Sequence, residues 1–236
     1  LAALEQAESL GAAGRWADAH ARLASLDESG DQFLLTRASF AVRAGLLDAA
    51  ERDLEPALAR APARADLLRL RALVEELRRD PAAARALYER ALAADPSDAL
   101  ATTGLGRLAE GEGDAERAER LYREALAREP GQAEATWRLA ALRSERGGLD
   151  EAQALLAEAG EPPEPFVVWR VASAEVQAGH AEAAAARLDA ALRGPVPAAL
   201  ALAAAPLLEA GGRGAAALRL VEEALRADPG AWQLPN

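Results

Sequence analysis

The chain has 236 residues, 51% of them apolar and 4% aromatic, with a formal net charge of −11 and no cysteine. The missing cysteines exclude a disulfide scaffold, a cysteine zinc site and a thiol nucleophile. An acidic chain whose basic residues are all Arg, with no basic block, argues against nucleic acid and against an anionic membrane surface as partners. Ala and Leu dominate, Val is sparse and Ile is absent, so the residues that strands use are largely missing and the composition predicts an all-α fold.

In chain order, the first clear signal is a repeat. Residues 84–96 read ARALYERALAADP and residues 118–130 read AERLYREALAREP, with seven of thirteen positions identical at an offset of 34. A fixed offset of that size marks a supersecondary unit that buries its apolar face only against a copy of itself. Pro62, Pro96, Pro130 and Pro229 punctuate the chain in steps of 34, 34 and 99, the last being three units of 33. Between them each unit shows an Ala/Leu-rich run, a turn and a second run. Turn glycines are expected at Gly14, Gly45, Gly113, Gly147, Gly179 and Gly212. A small residue opens the inner face of each second helix: Ala19, Ala50, Ala84, Ala118, Ala152, Ala184 and Ala217. Ala118, Tyr122 and Ala125 then fall on one helical face, where the alanines let helix axes approach and the ring fills the remaining space. The third unit has no turn glycine; Asp80 is its expected N-cap and Pro81 its first helical residue. Further on, Pro162, Pro163 and Pro165 should stiffen one connection, and Pro206 should kink or shorten the helix that holds it.

The stretch LGRLAEGEGDAERAERLYREALAREP resembles a tetratricopeptide repeat through Leu105, Gly106, Ala118, Tyr122, Ala125, Leu126 and Pro130, although Gly113 stands two places earlier than that family usually has its turn glycine. In the same frame the chain divides into seven units, 1–30, 31–64, 65–98, 99–132, 133–164, 165–197 and 198–231, and GAWQLPN would begin another. The resemblance implies one right-handed α-solenoid of helix pairs over residues 1–236, expected to be part of a longer protein because it starts with Leu1. The absence of Lys, Ile, Met and Cys looks like a GC-rich bacterial genome, with cytoplasm and periplasm both open.

The sequence carries little that points to chemistry. His20 and His180 lie five units apart, read as unrelated surface histidines, and no His pair has metal-ligand spacing. The carboxylates read as solvated helix faces with partners such as Glu119 and Arg123. Gly-rich stretches lack both the lysine and the preceding strand of a phosphate loop. No catalytic residue, metal or cofactor is expected. What the resemblance implies instead is a non-catalytic scaffold that holds a protein or peptide in the groove lined by the first helices. By the family's groove positions, the candidate contact residues are Leu35, Arg69, Thr103, Arg107, Trp137, Phe166 and Trp169. The alternative for Trp137 and Trp169 is core packing between units, and Arg69 and Arg107 also read as plain surface arginines. The partner is expected to be a protein or peptide, without nucleic acid or membrane insertion, and homo-oligomerisation through terminal repeats stays open. A different functional reading is a regulatory or substrate-docking segment of a larger enzyme or of an exopolysaccharide-secretion or envelope-assembly protein. The carboxylate clamp and the Asn ladder of other family members have no counterpart, since the chain has no Lys and its sole Asn is Asn236.

Overall fold

The computed structural model describes residues 2–159, 165–193 and 196–227; Leu1, Pro162, Pro163, Pro229 and the GAWQLPN stretch lie outside them. The described residues form fourteen α-helices and no strand. The chain divides into two compact units, 1–128 and 129–236. The first holds α1 (Ala2–Ala12), α2 (Trp16–Ala24), α3 (Asp31–Arg43), α4 (Leu47–Arg60), α5 (Ala65–Leu77), α6 (Pro81–Ala94), α7 (Ala99–Gly111) and α8 (Ala115–Arg128). The second holds α9 (Ala133–Glu145), α10 (Leu149–Glu158), α11 (Pro165–Gln177), α12 (Ala181–Ala191), α13 (Ala198–Ala210) and α14 (Gly214–Ala227).

Each odd-numbered helix pairs with the even-numbered helix that follows it, and within each unit a pair packs on the next. Successive first helices also touch, α3 with α5 and α5 with α7 in the first unit, α9 with α11 and α11 with α13 in the second, so within each unit they share one face. This is an α-solenoid of helix pairs, built by the same local chemistry each time. At the turns, Gly14, Gly45, Gly113, Gly147, Gly179 and Gly212 all have φ between +72° and +90°. Such a residue lets the chain leave one helix and enter the next while two amides still cap the preceding carbonyls. At Gly113, for example, the glycine N–H donates to Glu110 at 3.0 Å and the Asp114 N–H to Ala109 at 2.9 Å. In the third repeat the left-handed position falls on Arg79, with φ +65°, a departure the sequence conceals because Arg carries no turn signal. Asp80 then caps α6 by accepting from the Ala83 N–H at 2.9 Å, with Pro81 at the first helical position.

Between paired helices the contact is small against large. Ala7, Ala19 and Leu23 are buried together in the first repeat, and Ala38, Ala50 and Leu54 in the second. The third uses Ala72, Ala84 and Tyr88. Rings need more room than leucine, and glycine supplies it. A Cβ on Gly104 would lie 2.4 Å from the Tyr88 ring, and one on Gly106 2.4 Å from that of Tyr122. The phenols find acids in the last turn of a first helix: Tyr88 donates to Glu76 at 2.9 Å and Tyr122 to Glu110 at 2.7 Å. In the sixth repeat the acid is the fully buried Glu175, held by Arg187 at 3.1 Å.

One expectation changes. Pro206 does not shorten its helix, since α13 keeps thirteen residues, as α3, α5, α7, α9 and α11 do. Its buried stripe of Ala201, Ala204, Ala205 and Leu208 outweighs the missing backbone donor. Pro56, which drew no attention in the sequence, likewise sits inside α4.

Candidate protein-interaction face

On the shared face of the first helices, the polar candidates of the first unit are all engaged. Arg69 Nε donates to Asp98 at 3.1 Å. Thr103 is 1% exposed and its hydroxyl donates to the Ala99 carbonyl at 3.0 Å, within α7. Arg107 forms a two-pronged pair with Glu76, Nε to Oε1 and Nη2 to Oε2 both at 2.8 Å, and also donates to the Tyr88 hydroxyl at 2.8 Å. A planar guanidinium held this way has little capacity left for a peptide. Glu76 was not singled out from the sequence. The signal that could have found it is opposite charge at the twelfth position of one repeat and the ninth of the next. Leu35 is half-buried against the core of the second repeat.

In the second unit the three aromatics separate. Trp137 is 5% exposed and belongs to the cluster that includes Val167, Val168 and Val171. It is a core residue, which corrects the expectation that it faces the groove. The close approach of α9 and α11 encloses the indole, and burial of that much apolar surface favours the arrangement. Trp169 is partly buried on the same cluster and donates from Nε1 to the Ala203 carbonyl at 3.2 Å, which ties α11 to α13. Phe166 stands one turn earlier on α11, is 51% exposed, and stacks on Trp169 with ring centroids 5.5 Å apart and planes 23° apart. Beside them Arg170 is bound to Glu145 at 2.6 and 2.8 Å. The pair therefore presents an apolar ledge whose neighbouring cation is already neutralised.

Neither histidine builds a reactive site. His20 is not the surface residue expected: it is largely buried and its Nε2 lies 3.3 Å from Asp53 Oδ2. Arg37 donates to the other oxygen of Asp53 at 2.5 Å, so the three side chains tie α2, α3 and α4 together. His180 is the N-cap residue of α12. Among the described residues, no group of three or more His, Asp or Glu could hold a metal ion, and no helix is long and apolar enough to cross a membrane.

Tetratricopeptide-repeat family models match residues 35–99 and residues 109–162. No curated protein sequence matches the chain. Similar solved structures include PilF of Pseudomonas aeruginosa, 18% identical over 85% of this chain and 92% of that one, with a TM-score of 0.63. A tetratricopeptide-repeat protein of Parabacteroides merdae is 18% identical, with 96% and 92% covered and a TM-score of 0.61. The match to the APC/C hetero-tetramer Cut9–Hcn1 is 16% identical over 97% of this chain and 46% of that one, with a TM-score of 0.72. At these identities the likeness is one of fold. Proteins with this fold are in general non-catalytic scaffolds for protein interaction. By its helix-pair repeats, its turn chemistry and the two family matches, this chain belongs to the tetratricopeptide-repeat family.

Proposed function

We propose that this chain is a non-catalytic scaffold that binds a protein or peptide partner by seating an apolar side chain on the Phe166–Trp169 ledge. The observation that carries this reading is Phe166, a large aromatic left 51% exposed on a first helix and stacked on a second ring. Exposed aromatic surface is costly in a chain with 4% aromatics, and rigid rings supply contact area at low entropic cost on binding. The indole N–H is already used by Ala203, so the ledge recognises shape and apolarity, not an acceptor.

The electrostatics favour basic flanks on the partner. The chain carries −11, and Arg69, Arg107 and Arg170 are each matched by a carboxylate. An acidic peptide would meet net repulsion, while a basic one is steered in. Phe166→Ala tests the site without threatening the core. A true hot spot should lose at least about 2 kcal/mol of binding, about 30-fold in Kd, with the melting temperature nearly unchanged. Retention of a partner by Phe166→Ala with wild-type affinity would remove the ledge from consideration.

A further inference from the structure

The repeats supply an internal standard for what their turns need. Two residues before the left-handed position stand Ala12, Arg43, Gly111, Glu145, Gln177 and Ala210, and one residue after it stand Arg15, Asp80, Asp114, Gly148, His180 and Arg213. None of these is a large apolar residue. The second and third repeats depart from the pattern together. Leu46 follows the left-handed Gly45 and is 41% exposed, and Leu77 stands two residues before the left-handed Arg79 and is 47% exposed. Arg79 itself takes the place that every other turn gives to glycine. Arg78 donates to Asp48 at 2.6 Å, so the two turns lie side by side on one edge of the first unit.

Folding explains none of these departures. Exposed leucines bury little, and an Arg with φ +65° carries backbone strain that glycine would not. Arg79 is exposed and has no ion-pair partner among the described residues. The edge is therefore an apolar knob with a free cation beside it. Other exposed leucines lack that combination: Leu218 adjoins Arg219, which Asp189 holds at 3.3 Å, and Leu100 stands two residues from the acid Asp98. An apolar side chain with a basic flank is also what the Phe166–Trp169 ledge selects. Beside that ledge the Glu145 side chain is 40% exposed and accepts two bonds from Arg170, about half of what a carboxylate can take.

We propose that the ledge is occupied by a second copy of this chain, whose Leu46–Leu77 edge seats on Phe166 and Trp169 with Arg79 set against Glu145. The inference rests on the ledge reading and adds its occupant. Because the two surfaces differ, the contact is heterologous and passes from copy to copy. Sedimentation velocity on the full chain should show a mass that rises with concentration past the dimer. Phe166→Ala and Leu77→Glu should each be monomeric with nearly unchanged melting temperatures, since both positions are exposed and Glu145 already stands at the fifth repeat's equivalent of Leu77. An equimolar mixture of the two variants should form one heterodimer and nothing larger, because one variant keeps its ledge and the other its edge. Arg79→Gly should weaken association at least about tenfold while the fold becomes no less stable. A wild-type chain that stays monomeric at every concentration would overturn the proposal and leave the ledge to a different protein. Assembly that survives Leu77→Glu but not Phe166→Ala would overturn the pairing while supporting the ledge. Assembly that survives Phe166→Ala, or a mixture that does not associate, would overturn the proposal as well.

Discussion

Replacing Gly106 by alanine should destabilise the protein even though alanine is the better helix former. A Cβ at that position would lie 2.4 Å from Tyr122 Cε1, 2.8 Å from Cδ1 and 3.0 Å from Cζ. Carbon atoms prefer a separation of about 3.5 to 4.0 Å, so the overlap is about 1 Å. The ring cannot retreat, because Tyr122 is 0% exposed and its hydroxyl is anchored on Glu110. Overpacking of this kind costs about 1 to 3 kcal/mol, and a pinned ring belongs at the upper end. Helix propensity returns about 1 kcal/mol. The net loss is about 2 kcal/mol, or about 4 to 8 °C in melting temperature for a chain of this size. Gly111, with nothing within 4 Å, is the control, and its alanine variant should be neutral or slightly stabilising. A double-mutant cycle in urea, followed by far-ultraviolet circular dichroism, isolates the cause. Tyr122→Leu alone loses volume and the bond to Glu110, about 2 kcal/mol. Combined with Gly106→Ala it recreates the alanine–leucine contact of the second repeat, Ala38 with Leu54. The double variant should therefore be at least about 1 kcal/mol better than the sum of the singles. A Gly106→Ala protein as stable as wild type, or strict additivity in the cycle, would refute the steric reasoning.

Arg79→Gly should stabilise by about 1 kcal/mol, since it relieves a left-handed residue that every other turn assigns to glycine; no rise in the urea midpoint would count against this. Trp137→Ala should cost about 3 to 5 kcal/mol of stability, with thermal melting as the readout; loss of partner binding at unchanged stability would return Trp137 to the groove. Acid should weaken the fold in a defined direction. Hydrogen bonding from Arg78 lowers the pKa of Glu51, against burial, and Ser97 lowers that of Asp95. A group whose folded pKa is depressed contributes stability that is complete above its unfolded value, about 4.3 for Glu and about 3.9 for Asp, and lost as pH falls through the folded value. Melting temperature should thus be level near neutrality and fall below about pH 4, and Glu51→Gln should flatten the fall.

The fold was legible because every repeat solves one problem with one pattern. Ala at fixed positions, a bulky residue four further on and a left-handed glycine between helices are local requirements, and each leaves a residue-type signature. Where the same need is met by an unusual residue, the signature fails: Arg79 occupies a glycine's conformation, and Pro56 and Pro206 sit inside helices that local rules would break. In both helices the burial of an apolar stripe decides the outcome, and burial is set by the neighbouring helices, not by the three or four residues around a proline.

The candidate face was less legible for a related reason. Trp137 and Trp169 hold the same fifth position of successive repeats, yet the first is 5% exposed in the core and the second lies partly open under Phe166. Position in the repeat fixes the direction in which a side chain leaves its helix. It does not fix how far the neighbouring helices have closed over it, which depends on residues about thirty positions away. The arginines show the same limit with charge. Arg69 and Arg107 read as free donors only until Asp98 and Glu76, 29 and 31 residues distant, are seen beside them. A repeat frame therefore names a helix face but overstates the polar capacity of its residues. Phe166 escapes both effects, because its ring stacks on Trp169 and is still 51% exposed, and that asymmetry makes it the informative residue to mutate first.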